Sequence, residues 1–183
     1  MSKKKILILG SSGMVGSSIV RVVNKKKYQL LTPSRKELNL FLGKKVIKYF
    51  LKKKPNIVIL AAAKVGGIYA NSNFPADFIN ENLKIQNNII EACNQIKNIK
   101  LVFLGSSCIY PRNCKQPIKE EYLLSGSLEK TNEPYAIAKI AGIKMIQSYR
   151  SQYKKNYIAL MPTNIYGPND NYDKKNSHVI AGL

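Results

Sequence analysis

The chain has 183 residues, 45% of them apolar, with 30 basic side chains against 10 acidic ones and a formal charge of +20. That length builds one good core and that apolar share excludes a disordered chain, while no apolar stretch reaches the roughly 18 residues of a membrane span or forms a secretory signal after Lys3-Lys4-Lys5. The lysines, among them Lys25 to Lys27, Lys44, Lys45 and Lys52 to Lys54, are scattered without an aromatic stacking platform; this reads as solvated surface rather than a nucleic-acid site, with some positive potential left to attract an anionic nucleotide. In chain order, apolar runs at 5–9, 28–32, 57–62, 100–105 and 157–161 predict strands. Helical patterns at 14–24, 43–54, 76–97 and 133–154 alternate with them. Such alternation implies right-handed crossovers and an α/β fold with a Rossmann-type, doubly wound parallel sheet. The expected spatial order is 3-2-1-4-5, with a switch point beside strand 1.

The first strand, Ile6 to Leu9, runs directly into Gly10-Ser11-Ser12-Gly13-Met14-Val15-Gly16 and then a helix that Asn24 stops. Strand, glycine turn, helix is the context of a dinucleotide fingerprint. Gly10 allows the tight turn, Gly13 lets backbone approach a pyrophosphate, and Gly16 lets helix and strand pack closely. The helix start offers free N–H groups to phosphates. After strand 2 comes Thr32-Pro33-Ser34-Arg35-Lys36. A carboxylate there favours NAD and a basic group favours the 2′-phosphate of NADP, so Arg35 points to NADP(H).

Strand 4 leads through Leu104-Gly105 to Ser106-Ser107-Cys108-Ile109-Tyr110-Pro111. Ligands of open α/β sheets bind beyond the carboxyl ends of the strands, so Ser106 or Ser107 is placed to donate a hydrogen bond to a substrate oxygen. The segment 111–131 is expected to be an ordered loop over the site. Next, Tyr135 and Lys139 stand four residues apart on one face of a helix. An ammonium one turn away from a phenol favours the phenolate, so the pair suits proton transfer at a carbonyl or alcohol. Cys93, Cys108 and Cys114 show neither zinc spacing nor an even count, and His178 is the only histidine. No metal cluster is visible, and a reduced, cytoplasmic protein fits.

With these segments in place, the chain resembles the extended short-chain dehydrogenases/reductases. It is most similar to the branch that converts GDP-4-keto-6-deoxy-D-mannose to GDP-L-fucose. The stretches that carry the resemblance are Ala61 to Ile68, Leu104 to Pro111, Thr131 to Gly142, Met161 to Pro168 and Ser177 to Ile180. The resemblance implies a two-stage reaction. The 4-keto group acidifies C3 and C5, an acid/base pair inverts both centres, and NADPH then delivers hydride to C4. Tyr135 is implied as proton donor to the C4 oxygen, Ser106 as its hydrogen-bond partner, and Lys139 as ribose ligand. Cys108 and His178 match the epimerisation base and acid, groups that ordinarily titrate near about 8.5 and 6.5. Gly10 to Gly16, Arg35, Ala63, Leu104 to Ser107, Lys139, Pro162, Thr163, Asn164, Ile165 and His178 are implied around the cofactor. Ser11-Ser12 replaces a basic residue that the family often carries in this turn, which leaves more of the 2′-phosphate to Arg35. The resemblance also implies a homodimer built on the helices at 76–97 and 133–154.

The implied division is a dinucleotide-binding domain over 1–168 and the start of a substrate-binding region over 169–183. The family continues past that point, so the substrate domain is largely absent, as in a fragment or a truncated product. Two alternatives stay open. Another nucleotide-sugar epimerase or dehydratase would share the Rossmann half but would not need Cys108 and His178. A non-catalytic module binding NADP or nucleic acid would use the charge alone.

Overall fold

Ile6, Leu7, Ile8 and Leu9 are all buried because the strand they form is covered on both faces. In the computed structural model, which describes residues 3–173, this strand is β1 (Lys4–Leu9), followed by β2 (Tyr28–Leu31), β3 (Ile57–Leu60), β4 (Lys100–Leu104) and β5 (Asn156–Leu160). The helices are α1 (Met14–Val22), α2 (Gly43–Lys53), α3 (Ile68–Asn73), α4 (Pro75–Asn94) and α5 (Glu133–Tyr153). The five strands pair in parallel in the order β2-β1-β3-β4-β5.

That order corrects the expected 3-2-1-4-5. The third strand does not add outside β2 but seats on the far edge of β1, with Ile6 beside Ile57 and Leu9 beside Leu60. Burial agrees with the observed places: Val58 and Leu60 of the inner strand β3 are buried, whereas the edge strand β2 has no fully buried residue. The switch point therefore lies between β1 and β3.

Handedness then places the helices. The crossover from β1 to β2 runs one way along the sheet and every later one runs the other way. Right-handed connections thus put α1 alone on one face and α2, α4 and α5 on the opposite face. The main core lies on that second face. Leu7, Leu9, Val58, Leu60, Leu101, Phe103 and Tyr157 meet Val46 and Phe50 of α2, Ile85 and Ile89 of α4, and Ile143 and Ile146 of α5. Each such side chain, fully buried, contributes about 1.5–3 kcal/mol.

Helix ends follow local chemistry. Asn24 ends α1 by accepting the Lys26 N–H on its side chain while its carbonyl accepts from Lys27 and Tyr28. Lys54 and Lys154 take left-handed conformations, with φ of 48° and 51°, and close α2 and α5. α4 stops at Asn94, sooner than expected, where the chain tightens into a turn toward β4. The segment 111–131 is ordered, as an Arg112–Glu129 ion pair at 3.1 Å and an Arg112 N–H bond to the Ser127 carbonyl fold it on itself. No residue of it lines the crevice described below, which corrects its expected place over the site. Among the described residues, no helix is long and apolar enough to cross a membrane.

Candidate active site

The carboxyl ends of β1, β3, β4 and β5 open into a crevice of about 1560 Å³. That is more than the roughly 300–1,000 Å³ of an ordinary small-ligand cleft, so there is room for a dinucleotide and a second group.

The glycine turn forms one wall. Gly10 has φ of +84°, and a Cβ there would stand 2.7 Å from the Ala62 nitrogen. A Cβ on Gly16 would collide with the Gly10 carbonyl oxygen. These two glycines are required by the chain itself. Gly13 differs, since a Cβ there would meet nothing closer than that oxygen at 3.5 Å. Glycine at 13 is thus not demanded by close packing; it is the N-cap of α1, where glycine is favoured over alanine, and it keeps the backbone open to the crevice. Gly13 starts α1 without a side-chain cap, and the first turn holds no acidic residue. The first helical bond runs from the Ser17 N–H to the Gly13 carbonyl at 2.8 Å. The N–H groups of Met14, Val15 and Gly16 are left facing the crevice, an arrangement suited to a phosphate.

Ser11, Ser12, Arg35 and Ala63 line the same space, as do Gly105, Ser106, Ser107, Cys108 and Tyr135. Pro162, Thr163, Asn164 and Ile165 close it from the end of β5. The exposed Arg35 guanidinium stacks over Phe41 at 5.5 Å, which holds the fork at the crevice edge. Leu104 and Lys139 are not on the wall but behind it: Lys139 Nζ donates to the Leu104 carbonyl at 2.8 Å and lies 5.1 Å from the Phe103 ring centre. His178 lies outside the described residues.

Ser106 caps a short 3-10 turn over Ser107–Ile109 by accepting the Cys108 N–H at 3.3 Å. This turn carries the β4 end, with the Ser106 hydroxyl, toward the Tyr135 phenol. The phenol is not depressed as the sequence led one to expect. Burial, then neighbouring Cys108, push Tyr135 up to about 12, against the downward pull of Ser106. Lys139 does not reverse this, because it is buried too, 5% exposed, and desolvation lowers it to about 8. Its ammonium faces the Leu104 carbonyl and sits 5.8 Å from the Tyr135 ring centre. At neutral pH the site therefore holds a protonated phenol beside a protonated amine, a donor set for an oxygen that gains negative charge.

Sequence reasoning missed α3, although the strap 61–67 before it was among the stretches that carry the resemblance. Asn71 on α3 donates to the Gly66 and Gly67 carbonyls at 2.8 and 3.0 Å and lines the crevice. It also missed Asn82 and Gln86, each 2% exposed on α4. Their signal was present: both fall on the face that Phe78, Ile85 and Ile89 make apolar.

Comparison with known proteins follows the same outline. The model of the NAD dependent epimerase/dehydratase family matches residues 6–183. A GDP-L-fucose synthase of Escherichia coli (strain K12) is 53% identical, with 100% of this chain covering 57% of it. The solved structure of MlghC, a GDP-mannoheptose C4 reductase from Campylobacter jejuni with NADP bound, is 42% identical with a TM-score of 0.90, over 99% of this chain and 54% of that one. A GDP-L-fucose synthetase from Naegleria fowleri bound to NADP superposes with a TM-score of 0.87 at 30% identity, over 100% of this chain and 61% of that one. The chain spans about half the length of the curated relatives it matches.

Proposed function

The chain belongs to the NAD dependent epimerase/dehydratase family, and on that premise we propose that it binds NADP(H) and serves the 3,5-epimerisation and 4-reduction of GDP-4-keto-6-deoxy-D-mannose to GDP-L-fucose. The observation that carries the reading is the glycine turn at the start of α1, with its uncapped N–H groups on the crevice, facing Ser106 and Tyr135 with Lys139 behind them. The relatives' names supply the substrate class. Residues 1–168 make the dinucleotide-binding unit in this reading, and 169–183 begin the part that holds the sugar nucleotide.

The N–H groups of Met14 to Gly16 receive the pyrophosphate, and Arg35 receives the 2′-phosphate. Lys139, reaching from behind the wall, holds the ribose side and keeps positive charge near the phenol. NADPH held there would supply the hydride for C4 of the sugar. Tyr135 keeps its proton until that oxygen becomes basic and then donates it, while Ser106 holds the same oxygen in line. Before reduction, the C4 oxygen bound by Ser106 and Tyr135 stabilises the enolate formed when Cys108 takes a proton from C3 or C5. His178 is the acid that returns the proton in this reading. A homodimer through α4 and α5 and a cytoplasmic setting belong to the same reading.

The test runs on this chain alone and on the chain joined to the C-terminal part of the Escherichia coli relative. Each is incubated with the 4-keto sugar in deuterated water and followed by NMR, with and without NADPH. Deuterium entry at C3 and C5, lost in Cys108→Ser, and NADPH consumption, reduced about 100- to 10,000-fold in Tyr135→Phe, are expected. NADPH consumption without any deuterium entry would make the joined protein a simple C4 reductase. Equal affinity of the unsubstituted chain for NADPH and NADH would remove the role given to Arg35.

A further inference from the structure

We propose that a stripe on α4, formed by Phe78, Asn82 and Gln86, is the positioning element that registers the two walls of the crevice against each other. One wall is the 61–67 strap after β3, and the other is the Tyr135–Lys139 turn of α5. The proposal rests on the dinucleotide reading above.

The three residues are spaced by four, so they share one face of α4. None of them lines the crevice. Phe78 touches both walls: a Cβ on Gly66 would come within 3.1 Å of its ring, and the Tyr135 ring stands edge-on to it with centres 6.3 Å apart. Asn82 grips the strap. Its Oδ1 accepts the Lys64 N–H at 3.0 Å, and its Nδ2 donates to the Lys64 carbonyl at 3.0 Å and to the Phe78 carbonyl at 2.7 Å. It therefore pairs with Lys64 as a neighbouring strand would, just where β3 has ended. The strap in turn seats the glycine turn, because Gly10 packs on Ala61 and Ala62. Gln86 grips the other wall. Its Nε2 donates at 2.8 Å to the carbonyl of Ala138, which lies between Tyr135 and Lys139. Gly142 makes room for this approach, since a Cβ there would lie 2.8 Å from Gln86 Oε1.

Packing alone does not call for carboxamides here. Burying one is unfavourable unless its bonds are made, and Ile85, Ile89 and Ile90 show what α4 uses where only packing is needed. Apolar contacts are non-directional, whereas these bonds fix where Lys64 and Ala138 stand. Asn82 and Gln86 act through the strap and through the Tyr–Lys turn, so they are positioning residues, which hold a binding geometry that the crevice residues alone leave loose.

The test uses the 183-residue chain and NADPH as probe. NADPH dissociation constants and thermal melting are measured for the unsubstituted chain, Asn82→Ala, Gln86→Leu and Ile90→Val, together with hydrogen exchange at the Lys64 amide. Ile90→Val is the comparison for destabilisation of α4 without a change in the stripe. Asn82→Ala and Gln86→Leu are expected to weaken NADPH binding about tenfold each, with Lys64 exchange faster by about tenfold in Asn82→Ala only. Ile90→Val is expected to lower the melting temperature while leaving NADPH affinity and Lys64 exchange unchanged. NADPH binding within twofold of the unsubstituted chain in both stripe variants would overturn the proposal and leave the dinucleotide reading standing. An Ile90→Val chain that loses affinity as they do would overturn it as well, since the effect would then be one of stability. Failure of the unsubstituted chain to bind NADPH would remove the dinucleotide reading and this proposal together.

Discussion

Lys139 and Tyr135 show how far a residue's neighbours can move it from its sequence expectation. A spacing of four places an ammonium beside a phenol, and in water that would favour the phenolate. Inside the protein both groups lose solvent, and each is driven toward its neutral form: Lys139 falls to about 8 and Tyr135 rises to about 12. The signs give opposite pH windows. Folding lowers the Lys139 value from 10.5, so its contribution is full above about 10.5 and is lost as pH falls through 8. Folding raises the Tyr135 value from 10.0, so its contribution is present below about 10 and lost as pH rises toward 12. Lys139→Met removes a buried charge and is expected to stabilise the apo chain at pH 7 by about 1–3 kcal/mol, with the gain shrinking by pH 10. Denaturant melts of both proteins at pH 7, 8.5 and 10 check this. A gain that stays constant across the three would mean that Lys139 is not the titrating group.

The glycine turn is the element in which fold and ligand make separable demands. Gly10 and Gly16 are held by the chain's own backbone, at Ala62 and at the Gly10 carbonyl respectively. Gly10→Ala and Gly16→Ala should therefore lower stability by about 2 kcal/mol or more, through strain at positive φ and through overpacking. Gly13→Ala has room, with its nearest neighbour at 3.5 Å. It should lower the melting temperature by no more than about 4 °C, the cost of a poorer helix N-cap, and yet weaken NADPH binding at least about tenfold, because the methyl projects where the pyrophosphate would lie. Calorimetric melting and a fluorescence titration of each variant separate the outcomes. A Gly13→Ala chain with undiminished NADPH affinity would leave that glycine to its place as the N-cap of α1. The spacing G-x-x-G-x-x-G made this element legible before any coordinate, since its three glycines fall between an apolar run and a helical one. α3 was not legible: Ile68–Asn73 carries no apolar period and no side-chain cap, and it packs against the 130–132 turn and α4, which are distant in sequence or follow it.

Over the whole molecule, the two faces of the sheet are unequal. The core face is closed by α2, α4 and α5, whereas among the described helices α1 alone covers the other. Exposure on that face grows away from β1. Ile6 and Ile8 are buried, Ile59 and Val102 beside them are partly covered, and Ile158 and Leu160 of β5 are 41% and 48% exposed. Ile158→Thr and Leu160→Thr should then cost little, within about 0.5 kcal/mol each. Leu101→Ala on the closed face, where Leu101 is fully buried, should cost about 2–5 kcal/mol. Urea melts rank the three. A cost for Ile158→Thr comparable with that of Leu101→Ala would show that the open face is covered in solution.

Hydrophobic period and turn chemistry are local properties, and they were enough for the five strands, four of the helices, the glycine turn and the Tyr135–Lys139 pair. Each of these is encoded within about 20 consecutive residues, where apolar spacing alone distinguishes a buried strand from a helix face. Three things needed the tertiary structure. Strand order depends on which edge of β1 the third strand meets, and no stretch of sequence carries that choice. The ionisation of Tyr135 and Lys139 depends on burial contributed by Phe78, Phe103 and Leu104 from other elements. The bonds of Asn82 and Gln86 join residues 18 and 52 positions apart. Such contacts exist only once the sheet has brought the chain together, which is why two polar residues on an apolar helix face read as exceptions until their partners are seen.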